Sequence, residues 1–254
     1  MYSAYLIDLD GTAYHGTQVV PQTLEFVKEL AKRGIPYLFL TNNTTKTPEM
    51  VAGHLQAFGY PATAAHVYTP SLAAAEYIAD ESPNAAVFMI GEAGLREALS
   101  EKGLPIVGTG ADADYVVIGL DREITYEKLA QACFGVRKGA RYLVTNGDKA
   151  LPTERGLMPG NGAIASVVTT STGIEPTFIG KPHAIIMKKA LEYLGKPAGE
   201  VAIIGDNYHT DILSGINTGV ASIFIEGGVT SREEVLTYPK QPTHLFKDLS
   251  EWSF

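Results

Sequence analysis

The stretch AYLIDLDGTAYHG, Ala4 to Gly16, sets an apolar run against two carboxylates, Asp8 and Asp10, with a glycine directly behind them. Two readings compete. Asp-Gly after apolar residues is a strong short-range signal for a tight hairpin turn. Two carboxylates where a strand gives way to a loop, one placed to attack and the other to move a proton, are also what phosphoryl chemistry needs. On this stretch alone both stand. Against the hairpin, the chain that follows reads as loop and helix and not as a returning strand.

Working outward, PQTLEFVKELAKRG carries Pro21 in its first turn, Leu24, Val27, Leu30 and Ala31 at helical spacing, and Gly34 as a stop. IPYLFLTNN is a second apolar strand ending in polar residues. Strand, helix and strand without polar alternation imply a parallel sheet covered on both faces. The same grammar returns late in the chain. PTFIGKP precedes the helix HAIIMKKALEYLG, EVAIIGDN precedes HTDILSGINTG, and ASIFIEGG precedes a final segment ending THLFKDLSEW. If these strands share one sheet, their polar ends converge where open α/β sheets bind ligands.

Between the halves lies a region of about a hundred residues, longer than an ordinary βα connection. It has its own alternation: AAVFMIGEAGLREALSEKG, ADYVVIGLD, TYEKLAQACFGVRKG, ARYLVTNGD and GAIASVVTTSTG read as strands and helices. The expected fold class is therefore α/β: a doubly wound, mostly parallel, Rossmann-like core from residues 1–82 and 176–254, with an inserted α/β domain over 83–175. The boundaries follow the turn signals ESPN and GIEP.

Composition narrows the function classes. A chain of 254 residues with 45% hydrophobic and 19% charged residues is globular with a sizeable core. A formal net charge of −8 offers no basic field to a polyanion and argues against nucleic acid as a partner. No apolar run approaches the ~18 residues of a membrane span, and no leader pattern opens the chain, so no membrane partner and a cytoplasmic location are expected. Cys133, the single cysteine, reads as a buried thiol. The histidines show no paired zinc-ligand spacing. No G-x-x-x-x-G-K-[ST] loop occurs, and GNGAIA, Gly160 to Ala165, matches a dinucleotide pattern without a preceding strand, following the loop-like LPTERGLMP.

Further carboxylates come in GDNYHTD. Asp206 follows a strand through a glycine and Asp211 opens the next helix, so both lie at one edge of a site; singly, Asp211 or Thr210 reads as a helix cap. Clustered carboxylate oxygens suit a hard cation such as Mg²⁺. LTNN and GKP supply what a phosphate needs: the Thr41 hydroxyl, backbone N–H groups after a strand, and the compact charge of Lys181. YLVTN, Tyr142 to Asn146, echoes YLFLTN, and by chemistry alone either Thr-Asn serves as a phosphate loop.

In order along the chain, DLDGT, LTNN, GKP and GDNYHTD resemble the four motifs of the haloacid dehalogenase superfamily of phosphohydrolases, and the long insert resembles the cap domain of its NagD-type branch. The resemblance covers essentially the whole chain. It implies that Asp8 is the nucleophile that forms an aspartyl-phosphate and that Asp10 is the general acid and then the general base. It implies that Mg²⁺ is held by the Asp8 carboxylate, the Asp10 carbonyl and Asp206, with Asp211 in support. Thr41, the Asn42 backbone and Lys181 then hold the phosphoryl group. It selects Thr41 over Thr145 for that role and suggests that Asn146 and Asp148 lie on a cap loop facing the site, as substrate contacts or as an ordinary Asn-Gly turn. Asn43 and Asn161 complete the candidate substrate contacts. The expected activity is hydrolysis of a small phosphate monoester, a sugar phosphate or a nucleoside monophosphate; the sequence leaves the oligomeric state open, with a homodimer through the cap as the candidate assembly. The rival is a phosphoacceptor regulatory domain, which sets the same acidic cluster, threonine and lysine at strand ends without turnover.

Overall fold

A computed structural model of the chain describes residues 2–153 and 155–253. It divides into two compact units. The first runs to Thr41 and takes in Pro48–Tyr68 and everything from Lys181 onward; the second takes in Asn42–Thr47 and Thr69–Gly180. The second unit thus begins upstream of Pro83 and ends beyond Glu175.

The first unit opens with β1 (Ala4–Ile7), whose four side chains are all buried, followed by a short hairpin of β2 (Tyr14–His15) and β3 (Gln18–Val19). α1 (Pro21–Arg33) starts on its proline and stops at Gly34, which adopts φ 67°. Its buried face is Thr23, Phe26, Val27 and Leu30, with Leu24 at the margin and Ala31 exposed. The face is turned from the expected one because Phe26 packs edge-on against Tyr5 of β1 at 5.2 Å. β4 (Tyr37–Leu40), α2 (Pro48–Ala57) and β5 (Val67–Tyr68) follow.

The second unit comprises α3 (Pro70–Glu81), β6 (Val87–Ile90), α4 (Ala93–Glu101), β7 (Tyr115–Ile118), α5 (Tyr126–Lys138), β8 (Arg141–Val144), β9 (Ala150–Thr153), β10 (Gly156–Pro159), α6 (Asn161–Thr172) and β11 (Thr177–Phe178). Its parallel sheet has the order β11-β8-β7-β6. β9 and β10 form a separate antiparallel hairpin, so LPTERGLMP is not simply a loop. A strand does precede GNGAIA, but one lying outside any parallel sheet. The core of this unit includes Phe88, Ile90, Val116, Ile118, Val136, Val144 and Val168, with Cys133 buried among them.

The chain returns to the first unit with α7 (Ala184–Leu194), β12 (Val201–Gly205), α8 (Leu213–Thr218), β13 (Ala221–Ile225), α9 (Arg232–Thr237) and β14 (His244–Phe246). The sheet order is β14-β13-β12-β1-β4-β5, parallel throughout. This is a Rossmann-like α/β fold. From β1 the chain first builds outward through β4 and β5, then starts again on the other side with β12, so the order reverses at β1. That reversal creates the crevice where such sheets bind ligands. One expectation is corrected here: PTFIGKP does not contribute a strand to this sheet. Thr177–Phe178 pairs with Leu143 and Val144 of β8. These two residues, one exposed and one half-buried, instead extend the edge of the second unit's sheet beside β8.

Candidate active site

Asp8 is the first residue beyond β1. Its N–H donates to the carbonyl of Ile204 at 2.9 Å, so the end of β1 is registered against the end of β12, where Asp206 emerges after Gly205. The Asp-Gly element is a bend. The carbonyl of Leu9 collects the N–H groups of Thr12, Ala13 and Tyr14 at 3.1, 2.8 and 3.2 Å. Gly11 takes φ 96°, and a Cβ there would overlap the Asp206 carboxylate. The bend sends Thr12 inward, fully buried, and its hydroxyl donates to Asp206 Oδ1 at 2.8 Å. Asp10 stays exposed, and the buried Tyr14 hydroxyl donates to its Oδ2 at 3.5 Å.

Asp211 lies inside a wide helical turn, Tyr208–Ile212, and does not open the helix. Asn207 is the cap, its side chain accepting the N–H of His209, while the Asn207 N–H donates to Asp211 Oδ2 at 3.2 Å. Gly205 leaves the room this carboxyl needs, since a Cβ there would overlap it. Wide turns of this kind recur at functional sites. His209 is exposed and meets the Tyr238 hydroxyl at 2.9 Å.

Lys181, the first residue of the returning chain, is 2% exposed. Its Nζ donates to Asp8 Oδ1 at 2.5 Å, Asp211 Oδ1 at 2.7 Å and the Leu40 carbonyl at 2.8 Å. The last bond ties the ammonium to the end of β4, immediately before the buried Thr41, whose N–H donates to the Tyr68 carbonyl. Oxygens of Asp8, Asp206 and Asp211 all lie within 4.8 Å of one another. Burial, reinforced by the Asp211 charge, holds the Asp8 carboxyl well above the usual range against the opposing pull of Lys181. Burial and Asp211 also raise Asp206. Burial alone would depress Lys181, but Asp211 and Asp8 outweigh it and hold the ammonium above its ordinary value.

Three carboxylates and one ammonium leave an excess of acidic groups in a buried site. The donor set is all oxygen, compact and anionic, which fits a hard divalent cation such as Mg²⁺.

The remaining candidates sit in the second unit. Asn146 is buried, its Nδ2 donating to the Asn42 carbonyl at 2.7 Å and its Oδ1 accepting the Asp148 N–H at 3.1 Å. Asp148 is half-buried and accepts from Asn42 Nδ2 at 3.5 Å. Asn43 Oδ1 caps its own turn, accepting from the Thr45 N–H and hydroxyl and the Lys46 N–H. Asn161 is 1% exposed, and its Nδ2 donates to the Ile118 carbonyl, Thr145 Oγ1 and the Asn146 carbonyl at 3.0 to 3.1 Å. Asn161 therefore joins the ends of β7 and β8 to the start of α6.

The N–H of Val229 donates to Asp206 Oδ2 at 2.7 Å beside Gly228, a contact with no side-chain signal in the sequence. The paired glycines after β13 were the available signal.

An acidic cluster and a buried lysine at the switch point of a parallel sheet, with a large second unit inserted in the chain, define the class: a phosphoric monoester hydrolase on a Rossmann-like core. The chain belongs to the haloacid dehalogenase-like hydrolases, in their NagD-type branch. The family model for haloacid dehalogenase-like hydrolases matches residues 5–105, and a second, HAD-hydrolase-like model matches 178–252. The chain is 51% identical over 251 residues to the 5'-nucleotidase YutF of Bacillus subtilis, covering 99% of this chain and 97% of that one. It is 52% identical over 250 residues to the acid sugar phosphatase of Staphylococcus aureus, covering 98% and 96%. Among solved structures, the p-nitrophenyl phosphatase of Archaeoglobus fulgidus superposes with a TM-score of 0.92 at 34% identity, covering 98% of this chain and 97% of that one. A mutant of the thermostable p-nitrophenylphosphatase of Bacillus stearothermophilus does so at 0.93 and 50% identity, covering 100% and 98%.

Proposed function

We propose that this chain is a Mg²⁺-dependent phosphatase of small phosphate monoesters, of the sugar phosphate or nucleoside monophosphate class, working through an aspartyl-phosphate on Asp8. The observation that carries the reading is the buried Lys181 ammonium shared by Asp8 and Asp211, with Asp206 beside them. A lysine this deeply buried serves a local charge. The relatives named for a nucleotide and for sugar phosphates support the substrate class. The first compact unit takes the catalytic role and the second that of the family's cap domain.

An Asp8 oxygen attacks phosphorus, the bond to the leaving oxygen breaks, and Asp10 gives that oxygen its proton. Water then attacks phosphorus, Asp10 takes the water proton, and the Asp8 carboxylate departs as inorganic phosphate forms. Asp10, exposed beyond the bend, can exchange protons with solvent. Lys181 lowers the repulsion between the carboxylate and a phosphate dianion, together with the Thr41 hydroxyl and the Asn42 backbone. A bound Mg²⁺, held by Asp8, the Asp10 carbonyl and Asp206 with Asp211 in support, supplies further positive charge there.

The test is phosphate release from 4-nitrophenyl phosphate and from a panel of sugar phosphates and nucleoside monophosphates, with Mg²⁺ and with chelator. Asp8→Asn is expected to abolish turnover while leaving the melting transition and circular dichroism in place. Full activity of that variant, or a stable stoichiometric phosphoprotein in place of turnover, would overturn the reading.

A further inference from the structure

Asp206 is held differently from its two neighbours. Asp8 and Asp211 share the Lys181 ammonium, whereas Asp206 accepts from neutral donors, one on each oxygen: the Thr12 hydroxyl on Oδ1 at 2.8 Å and the Val229 N–H on Oδ2 at 2.7 Å. Glycine backbone closes on the same carboxylate from two segments, because a Cβ on either Gly11 or Gly228 would overlap it. Both supports are themselves anchored. The Thr12 carbonyl accepts the Thr23 hydroxyl at 2.8 Å. Thr230 fastens the loop after β13, its N–H donating to the Asp206 carbonyl at 3.3 Å and its hydroxyl accepting the Tyr208 N–H at 3.0 Å. Val229 exposes 70% of its surface even though its N–H reaches a fully buried carboxylate, so its main chain, and not its side chain, makes this contact.

We propose that Thr12 and the Gly228–Val229 peptide are positioning residues that fix the rotamer of Asp206 and aim its remaining lone pairs at a divalent cation. The inference rests on the reading of Asp206 as a ligand. A carboxylate has about four lone-pair sites, and one donor on each oxygen leaves the others available while removing rotation. Gly228 sets the size limit of the cradle: any side chain there turns the carboxylate out of place. Supporting groups of this kind typically change metal affinity by 10- to 100-fold when removed.

The experiment is calorimetric titration of Mg²⁺ into the metal-free full chain, paired with the Mg²⁺-induced shift in melting temperature. Thr12→Val, which removes the hydroxyl and keeps the shape, is expected to weaken Mg²⁺ binding about 10- to 100-fold, with Thr12→Ser restoring it to within a few fold. Gly228→Ala is expected to weaken binding at least as much as Thr12→Val, and neither change should add to the loss caused by Asp206→Asn. If Gly228→Ala does not fold, the two Thr12 variants decide. Wild-type Mg²⁺ affinity in Thr12→Val alongside loss in Asp206→Asn overturns the positioning role alone. Wild-type affinity in Asp206→Asn overturns the ligand reading and this inference with it.

Discussion

Lys181 sets the local balance of charge, because its Nζ meets Asp8, Asp211 and a main-chain carbonyl at once. Replacing it with methionine keeps the volume and strands two buried carboxylates without their cation. Breaking a buried pair in this way costs about 3 to 5 kcal/mol. Lys181→Met is therefore expected to be inactive and, by denaturant unfolding at pH 7 without metal, to lose stability on that scale. The sign with pH follows from the raised carboxyl of Asp8. Once the pH falls below the ordinary carboxylate value, near 4, Asp8 is protonated folded and unfolded alike, and its share of the gap between variant and parent closes. A gap unchanged between pH 7 and pH 4 would mean that lost packing, and not charge, accounts for the loss.

At the scale of elements, the turns after strands build the candidate site, each by a different device. The Asp-Gly bend after β1 is a turn that folds nothing back onto β1, the wide turn after β12 brings in Asp211, and the glycine pair after β13 delivers an N–H. In the second unit, Asn161 welds β7, β8 and α6 together. Asn161→Ala leaves three acceptors without this donor and is expected to cost about 2 kcal/mol in urea unfolding, with kcat/KM for different phosphate esters changing in parallel. A change in substrate ranking at unchanged stability would restore a direct substrate contact. Legibility in the sequence follows the same physics. Long apolar strands such as Ala4–Ile7 and Val201–Gly205 announce themselves because both faces are buried. Thr177–Phe178 and Val67–Tyr68 do not, since two residues have no period. The exposed β9 and β10 carry apolar Leu151 and Leu157 outward and so mimic a loop. The acidic boxes and Lys181 can be picked out by composition and order, but residues 173 apart have no local signal that they touch. Main-chain donors such as the Val229 N–H leave no mark in side-chain chemistry at all.

For the whole molecule, the proposed metal site at the acidic cluster would make metal and pH act on stability together. Asp206 has a raised carboxyl, so its contribution favours the fold below the unfolded value, near 4, and is lost as pH rises through the folded one. His66 and His183, lowered by burial, work the other way below about 6.5. Comparison with Asp206→Asn isolates the acid. In chelator, the variant is expected to melt above the parent at pH 8 and level with it near pH 4, and Mg²⁺ is expected to raise the parent's melting temperature far more than the variant's. Scanning calorimetry at the two pH values checks both, and a variant that melts below the parent at pH 8 in chelator would refute the charge argument. The sheet order has a consequence for how the protein is made. β1 is synthesised before both of its neighbours, β4 and β12, so Ala4 has to wait for Val201 to leave the ribosome before its second edge is covered. Until then the nascent chain carries a wholly apolar strand with one open side. Pairings so distant in sequence close slowly and leave the incomplete sheet prone to aggregation. An uncovered edge of β1 during translation is thus built into the strand order, set by the same return of the chain that brings Lys181 to Asp8.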